Sequence, residues 1–286
     1  MNIRTVRKKI KSVSNVKKIT KAMELVSAIK MKKAQQKALE SAPYRKSLER
    51  IIYKATAGLE KGFSPLIETT SQSNKNLYLV ISSSKGLCGS FNFNLLRYLG
   101  KEISFKDNDF IIIGKKASSF INKMGGAIIA DFSHVEPENA ISAIFTEALE
   151  KYLSGQYRQV VLLYNRFINT LKFETTATCL LPAKLSEKLV NQETDTVVES
   201  EYLIEPSAKE IIDAVLKNLI EEKIRGAIID SEAAEHSSRM VAMKNATDNA
   251  ENVIYNLTLL RNKIRQEKIT YELLDMLTAK ESVESN

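Results

Sequence analysis

One segment has the residue types and placement to hold an anion: Ser84-Lys85-Gly86-Leu87-Cys88-Gly89-Ser90, which follows an apolar run and precedes a helical pattern. A glycine-rich turn at that position can cradle phosphate oxygens with its backbone N–H groups. The spacing is neither GxxxxGK[ST] nor GxGxxG, so a tight structural turn is the better reading, with Lys85 as a surface contact. The two histidines, His134 and His236, have no Cys or His at metal-ligand spacing. No Ser/His/Asp or Cys/His arrangement can be assembled. The sequence therefore predicts no catalytic residue, no cofactor and no metal. Cys88 and Cys179 are too few for a disulfide framework and fit a reducing compartment.

Charge is the other candidate source of function. The net charge is +8, and residues 1–61 hold 17 Lys/Arg against 4 Glu. Residues 62–206 and 207–286 are mildly acidic, with 14 basic against 16 acidic and 11 against 14. A basic helix thus has an acidic partner in its own chain and spare positive charge for something outside it. A coiled-coil nucleic-acid-binding protein is the alternative this raises. Residues 1–43 contain no aromatic side chain on which a base could stack, which favours an acidic protein surface.

The elements that position these residues are unusual at both ends. Residues 1–57 contain no glycine and one proline (Pro43), and residues 207–286 contain no proline and one glycine (Gly226). The second run alone would span roughly 120 Å as helix, and periodic stretches of this length point to a coiled coil, a membrane span or a helical repeat. No stretch approaches the roughly 20 apolar residues of a membrane helix. Met1-Asn2-Ile3-Arg4 opens no apolar signal region.

In the first run the apolar residues Ile3, Val6, Ile10, Val13, Val16, Ile19, Met23, Val26 and Ile29 step by three and four with a stutter near Val16. Pro43 either kinks this helix or begins a second stretch to Ala57, and Gly58, Gly62 and Pro65 end it. Residues 62–75 read as a polar linker. In the last run Ser207-Ala208-Lys209-Glu210 forms a capping box. A seam follows through Ile229, Ala233, His236, Met240, Met243, Thr247, Ala250, Ile254, Leu257, Leu260 and Ile264. Small flanking residues, among them Ala22, Ser27, Ala234 and Ala246, allow close approach of the backbones.

The middle changes period. Leu77–Ser82, Phe110–Ile113, Ala127–Ala130 and Gln159–Tyr164 read as buried strands, with helices at about 92–103, 115–124 and 137–153 between them. That alternation predicts a small Rossmann-like α/β domain with a largely parallel sheet. Lys172–Leu180 and Thr196–Ile204 read as antiparallel additions or a hairpin. The expected organisation is a helix over 1–61, an α/β domain with linkers over 62–206 and a helix over 207–286, the two helices pairing as a long antiparallel coiled coil.

Several motifs resemble one family. Ile19-Thr20-Lys21-Ala22-Met23-Glu24-Leu25-Val26 with Ser27-Ala28-Ile29-Lys30-Met31 resembles the N-terminal signature of the F-type ATP synthase gamma subunit, and Gly86-Leu87-Cys88-Gly89 its middle. The run from Arg239 to Ala250 (RMVAMKNATDNA), then Asn262–Gln266 and Ile269-Thr270-Tyr271-Glu272-Leu273, resembles its C-terminal half. The resemblance implies a proton-driven rotor shaft without an active site of its own. Its implied partners are the alpha and beta subunits of a catalytic head, the epsilon subunit and the c-ring. The implied place is peripheral, on the cytoplasmic face of a bacterial inner membrane, with no direct membrane insertion and no nucleic acid. It assigns head contacts to Lys18, Lys21, Met23, Lys30, Arg239, Arg265, Gln266, Thr270 and Glu272, and a stalk or loop contact to Lys85, Gly86, Leu87, Cys88 and Gly89. Thr278-Ala279-Lys280 replaces the family's usual Gly-Ala pair, which implies a differently seated tip.

Overall fold

The computed structural model describes residues 2–56, 64–67, 73–183 and 208–284. The capping residue Ser207, the helix-ending Gly58 and Gly62, most of the 62–75 linker and the Thr196–Ile204 strand lie outside the described residues. Two compact units are present: Ala28–Ser238, and Met1–Ser27 together with Arg239–Asn286. Helices α1 (Ile3–Thr56) and α5 (Ala208–Glu284) contribute to both.

The larger unit is built on a five-stranded sheet of order β3-β2-β1-β4-β5. Strands β1 (Asn76–Ile81), β2 (Asn108–Ile113), β3 (Ala127–Asp131) and β4 (Gln159–Asn169) run parallel. Strand β5 (Lys172–Leu181) returns antiparallel to β4, so Lys172–Leu180 is an antiparallel addition to the sheet, made as a hairpin with β4. Helices α2 (Phe91–Glu102), α3 (Lys115–Lys123) and α4 (Ile141–Leu153) lie between the strands in sequence, where the 3.6-residue pattern places them.

The near-continuous apolar run of β1 follows from burial on both faces. Leu77, Leu79 and Ile81 share one core with Ile144 and Tyr152 of α4, Leu48 and Ile52 of α1, and Leu216, Ile220 and Ile224 of α5. Val80, Phe110, Ile112 and Leu163 share the other with Leu95 and Leu99 of α2 and Ala117 and Ile121 of α3. The turn from β2 into α3 needs glycine: Gly114 has φ +95°, and a Cβ there would lie 2.0 Å from the Ser82 carbonyl oxygen. Ser82 fixes the same turn, its Oγ accepting from the Ala117 N–H at 3.0 Å.

Helix α1 runs unbroken through Pro43. The proline sits on the exposed side, and burial of Ala34, Leu48 and Ile52 around it offsets the roughly 3 kcal/mol a helix-interior proline costs.

The smaller unit corrects the N-terminal seam. Val6 is buried and Ile10 and Val13 half-buried as expected, but the buried line then continues through Lys17, Thr20, Glu24 and Ser27. Val16, Ile19 and Val26 are 49, 60 and 54 % exposed. The stutter was an artefact of following apolar types; the physical seam keeps its three–four rhythm through polar residues. Thr20 and Thr247 share a hydrogen bond (Oγ1–Oγ1 2.8 Å), and Lys17 Nζ donates to Glu251 Oε1 at 2.7 Å. These pairs run in opposite order along the two helices, which makes the pairing antiparallel. The α5 side matches expectation: Met243, Thr247 and Ala250 are buried and Ile254, Leu257 and Ile264 half-buried, while Leu260 turns outward beside Arg261.

Candidate partner-binding surfaces

The 84–90 loop is a braced turn. Ser83 Oγ donates to the Lys85 carbonyl at 2.6 Å, and Asn92 Nδ2 to Ser83 Oγ at 2.7 Å. From α5, Ser238 Oγ donates to the Cys88 carbonyl at 2.7 Å. Leu87 (φ +61°) and Gly89 (φ +55°) turn the chain through the left-handed region, which is uncommon for leucine. The loop follows β1 where the strand order reverses, the usual place for a ligand in an open α/β sheet. Cys88 is instead buried there with Phe91, Ala234, Phe167 and Phe173. Lys85, Gly86, Leu87 and Gly89 face solvent. The loop thus has a solvent-facing tip and an interior filled by Cys88 and the side chains packed on it.

The hairpin turn between β4 and β5 is held beside the same stretch of α5, where Ser237 Oγ donates to the Thr170 carbonyl. Leu171 at this turn is 84 % exposed, and nothing in the sequence pattern singled it out.

The expected shaft contacts differ in exposure and pairing. Lys18 and Lys30 are exposed, and Met23 is half-buried. Lys21 is exposed but pairs within its own helix, Nζ to Glu24 Oε1 at 2.9 Å. Arg239 is only 7 % exposed, which differs from the outward contact the resemblance implies. Arg265, Gln266, Thr270 and Glu272 all lie on a stretch of α5 that is exposed on every side from Arg265 to Lys280. Thr270 Oγ1 donates to the Gln266 carbonyl at 3.0 Å, and Lys268 pairs with Glu272 at 3.3 Å.

Sequence reasoning missed the apolar surface around these residues. Val16, Ile19 and Val26 were assigned to the seam and instead form a row on the outer face of α1. On α5, Ile269, Leu273, Met276 and Leu277 recur at helical spacing and are exposed with Leu274. The signal was legible: apolar residues continue at helical spacing from Ile264 to Leu277, past the last half-buried position of α5. Exposed apolar rows of this kind mark protein contacts.

Charged groups in the larger unit tie helix to helix and helix to sheet domain. Lys37 of α1 forms an ion pair with Glu138, which raises the Lys37 ammonium above its ordinary range. The His236 imidazole, its Nε2 3.6 Å from Glu232 Oε1, holds the Glu232 carboxyl below its ordinary value, with Lys37 and Lys30 adding attraction. Burial pushes Asp230 up, and Arg45 and Arg166 pull it back. Among the described residues no group of three His, Cys, Asp or Glu side chains is placed to hold a metal. No described helix is long and apolar enough to cross a membrane.

Comparison with known proteins agrees with this geometry. The ATP synthase family profile matches residues 2–283. The ATP synthase gamma chain of Akkermansia muciniphila is 32 % identical, covering 99 % of each chain. That of Fusobacterium nucleatum is 34 % identical over 96 % of this chain and 97 % of its own. Among solved structures, a chain of the Euglena gracilis mitochondrial ATP synthase OSCP/F1/c-ring assembly shares the fold at TM-score 0.67 and 21 % identity, covering 99 % of this chain and 95 % of that one. A chain of the Tetrahymena thermophila central stalk/c-ring does so at TM-score 0.57 and 23 % identity, over 80 % and 99 %. The long paired helices, the parallel sheet domain and these matches together place the molecule: the chain belongs to the ATP synthase gamma chain family.

Proposed function

We propose that this chain is the central rotor of a bacterial ATP synthase, carrying torque between a membrane ring and a catalytic head without catalysing a reaction itself. In this reading residues 62–206 and the adjoining helix pair meet the c-ring and the epsilon subunit, and the distal parts of 1–61 and 207–286 turn inside the alpha and beta subunits. The observation that carries it is the exposed apolar surface of the smaller unit. Val16, Ile19 and Val26 on α1, and Ile269, Leu273 and Met276 on α5, are solvent-facing in the single chain. Lys18 and Lys30 flank the α1 row, so a partner surface there would be apolar with an acidic rim. The chain would sit at the cytoplasmic face of the inner membrane as a peripheral subunit.

Reconstitution with head and membrane subunits tests this. ATP-driven proton pumping should require the chain, and removing residues after 265 should weaken pumping more than it weakens ATP hydrolysis. ATP hydrolysis by the isolated chain, or full pumping without it, would contradict the proposal.

A further inference from the structure

Helix α5 runs for 77 residues with a single glycine, Gly226, at a buried position in the larger unit. Glycine inside a helix is destabilising relative to alanine, so a reason for it is expected in the packing. The reason is Arg45 of α1. A Cβ built on Gly226 would lie 2.2 Å from Arg45 Nη1 and 3.5 Å from its Cζ, so the guanidinium lies directly against the α5 backbone. Among the described residues, apart from its chain neighbours, no other side chain comes within 4 Å of that position.

Charged groups on three elements act across this region at longer range than an ion pair. Asp230 lies one turn further along α5, and Arg45 and Arg166 of β4 both act on it. Tyr164 of β4 faces the same three groups. On the other side Lys223 of α5 is influenced by Glu49 of α1 and by Arg45 itself. A planar, permanently charged group on a flat patch of backbone suits arginine and not lysine.

We propose that Arg45, seated in the slot that Gly226 leaves open, is a positioning residue that sets the register of α1 against α5. Apolar side chains alone tolerate sliding between neighbouring holes, whereas a single polar or charged seat at one level specifies one register. The slot makes the seat unique: at every other level of α5 a Cβ occupies the space the guanidinium needs. The consequence for torque rests on the rotor reading. The seat itself does not.

The test uses the full chain with spin labels, carried by unnatural amino acids, at the exposed positions Lys46 on α1 and Lys217 on α5. Wild type should give one narrow distance. Arg45→Met and Gly226→Ala should each broaden or split it, the second population displaced by about one helical turn, ~5.4 Å. The double variant should be no broader than Arg45→Met alone, because both remove the same seat. Arg45→Lys should restore only part of the narrow population. Gly226→Ala carries the discrimination, since propensity alone predicts a higher melting temperature and an unchanged distance. That pair of results would overturn the proposal and leave the rotor reading untouched. Failure of pumping in reconstitution with an intact narrow distance would do the reverse.

Discussion

The two units use the same two helices in opposite ways. In the larger unit α1 and α5 direct Leu48, Ile52, Leu216, Ile220 and Ile224 into a core shared with the sheet. In the smaller unit the buried line is Thr20, Ser27, Met243, Thr247 and Ala250 with half-buried Lys17, and the larger apolar side chains Val16, Ile19 and Val26 point away. The first arrangement is a core closed within the chain. The second is a thin, close-approaching pair whose larger apolar side chains stay exposed. Burial of apolar area stabilises by about 25 cal/mol per Å², so the larger unit has the greater stabilisation from its own core.

The largest break in that comparison comes from the core. Leu216→Ala, at a side chain with no exposed surface, should destabilise the chain by about 2–5 kcal/mol in chemical denaturation. Ile19→Ala deletes a similar volume from an exposed site and should change stability by no more than about 0.5 kcal/mol. In the reconstituted enzyme their order should reverse, with Ile19→Ala lowering pumping per ATP more than its stability effect explains. Equal stability costs would collapse the distinction between the two units.

The threonine pair gives a smaller effect. Thr20→Val or Thr247→Val alone removes the Oγ1–Oγ1 bond but leaves the other hydroxyl its own-helix carbonyl, Met243 or Lys17, so each should cost about 1 kcal/mol and the double variant less than the sum of the two. Additive losses on thermal denaturation would mean that each hydroxyl acts through its own helix backbone instead.

The smallest effect is on pH dependence in the larger unit. The folded-state value of Glu232 lies below the ordinary 4.5, so its ionised form favours the folded state. This contribution is fully present above pH 4.5 and is lost as pH falls through the depressed folded value. Glu232→Gln should therefore flatten the acid limb of the stability profile. An unchanged limb would remove the His236–Glu232 contact from the account.

Much of this was legible in the residues. The change from a 3.6-residue to a strand pattern at Leu77 located the sheet domain, because strands buried on both faces must be apolar throughout. The α5 seam was readable since Met243, Ala250 and Ile254 are apolar and correctly spaced. The α1 seam misled because side-chain type and side-chain direction part company there: the apolar residues serve the outside and the hydroxyls the inside. Arg239 was read as a contact from a motif and is buried, which a linear sequence cannot show. The Arg45–Gly226 seat joins residues 181 positions apart and had no local signal.

Amide hydrogen exchange on the free chain and on the assembled head tests the central claim most directly. In the free chain, residues 3–27 and 240–284 should exchange far faster than β1, β2 and the 211–238 stretch of α5, and they should gain protection in the assembly while the sheet changes little. Equal protection of both units in the free chain, or no gain for 3–27 on assembly, would contradict the account.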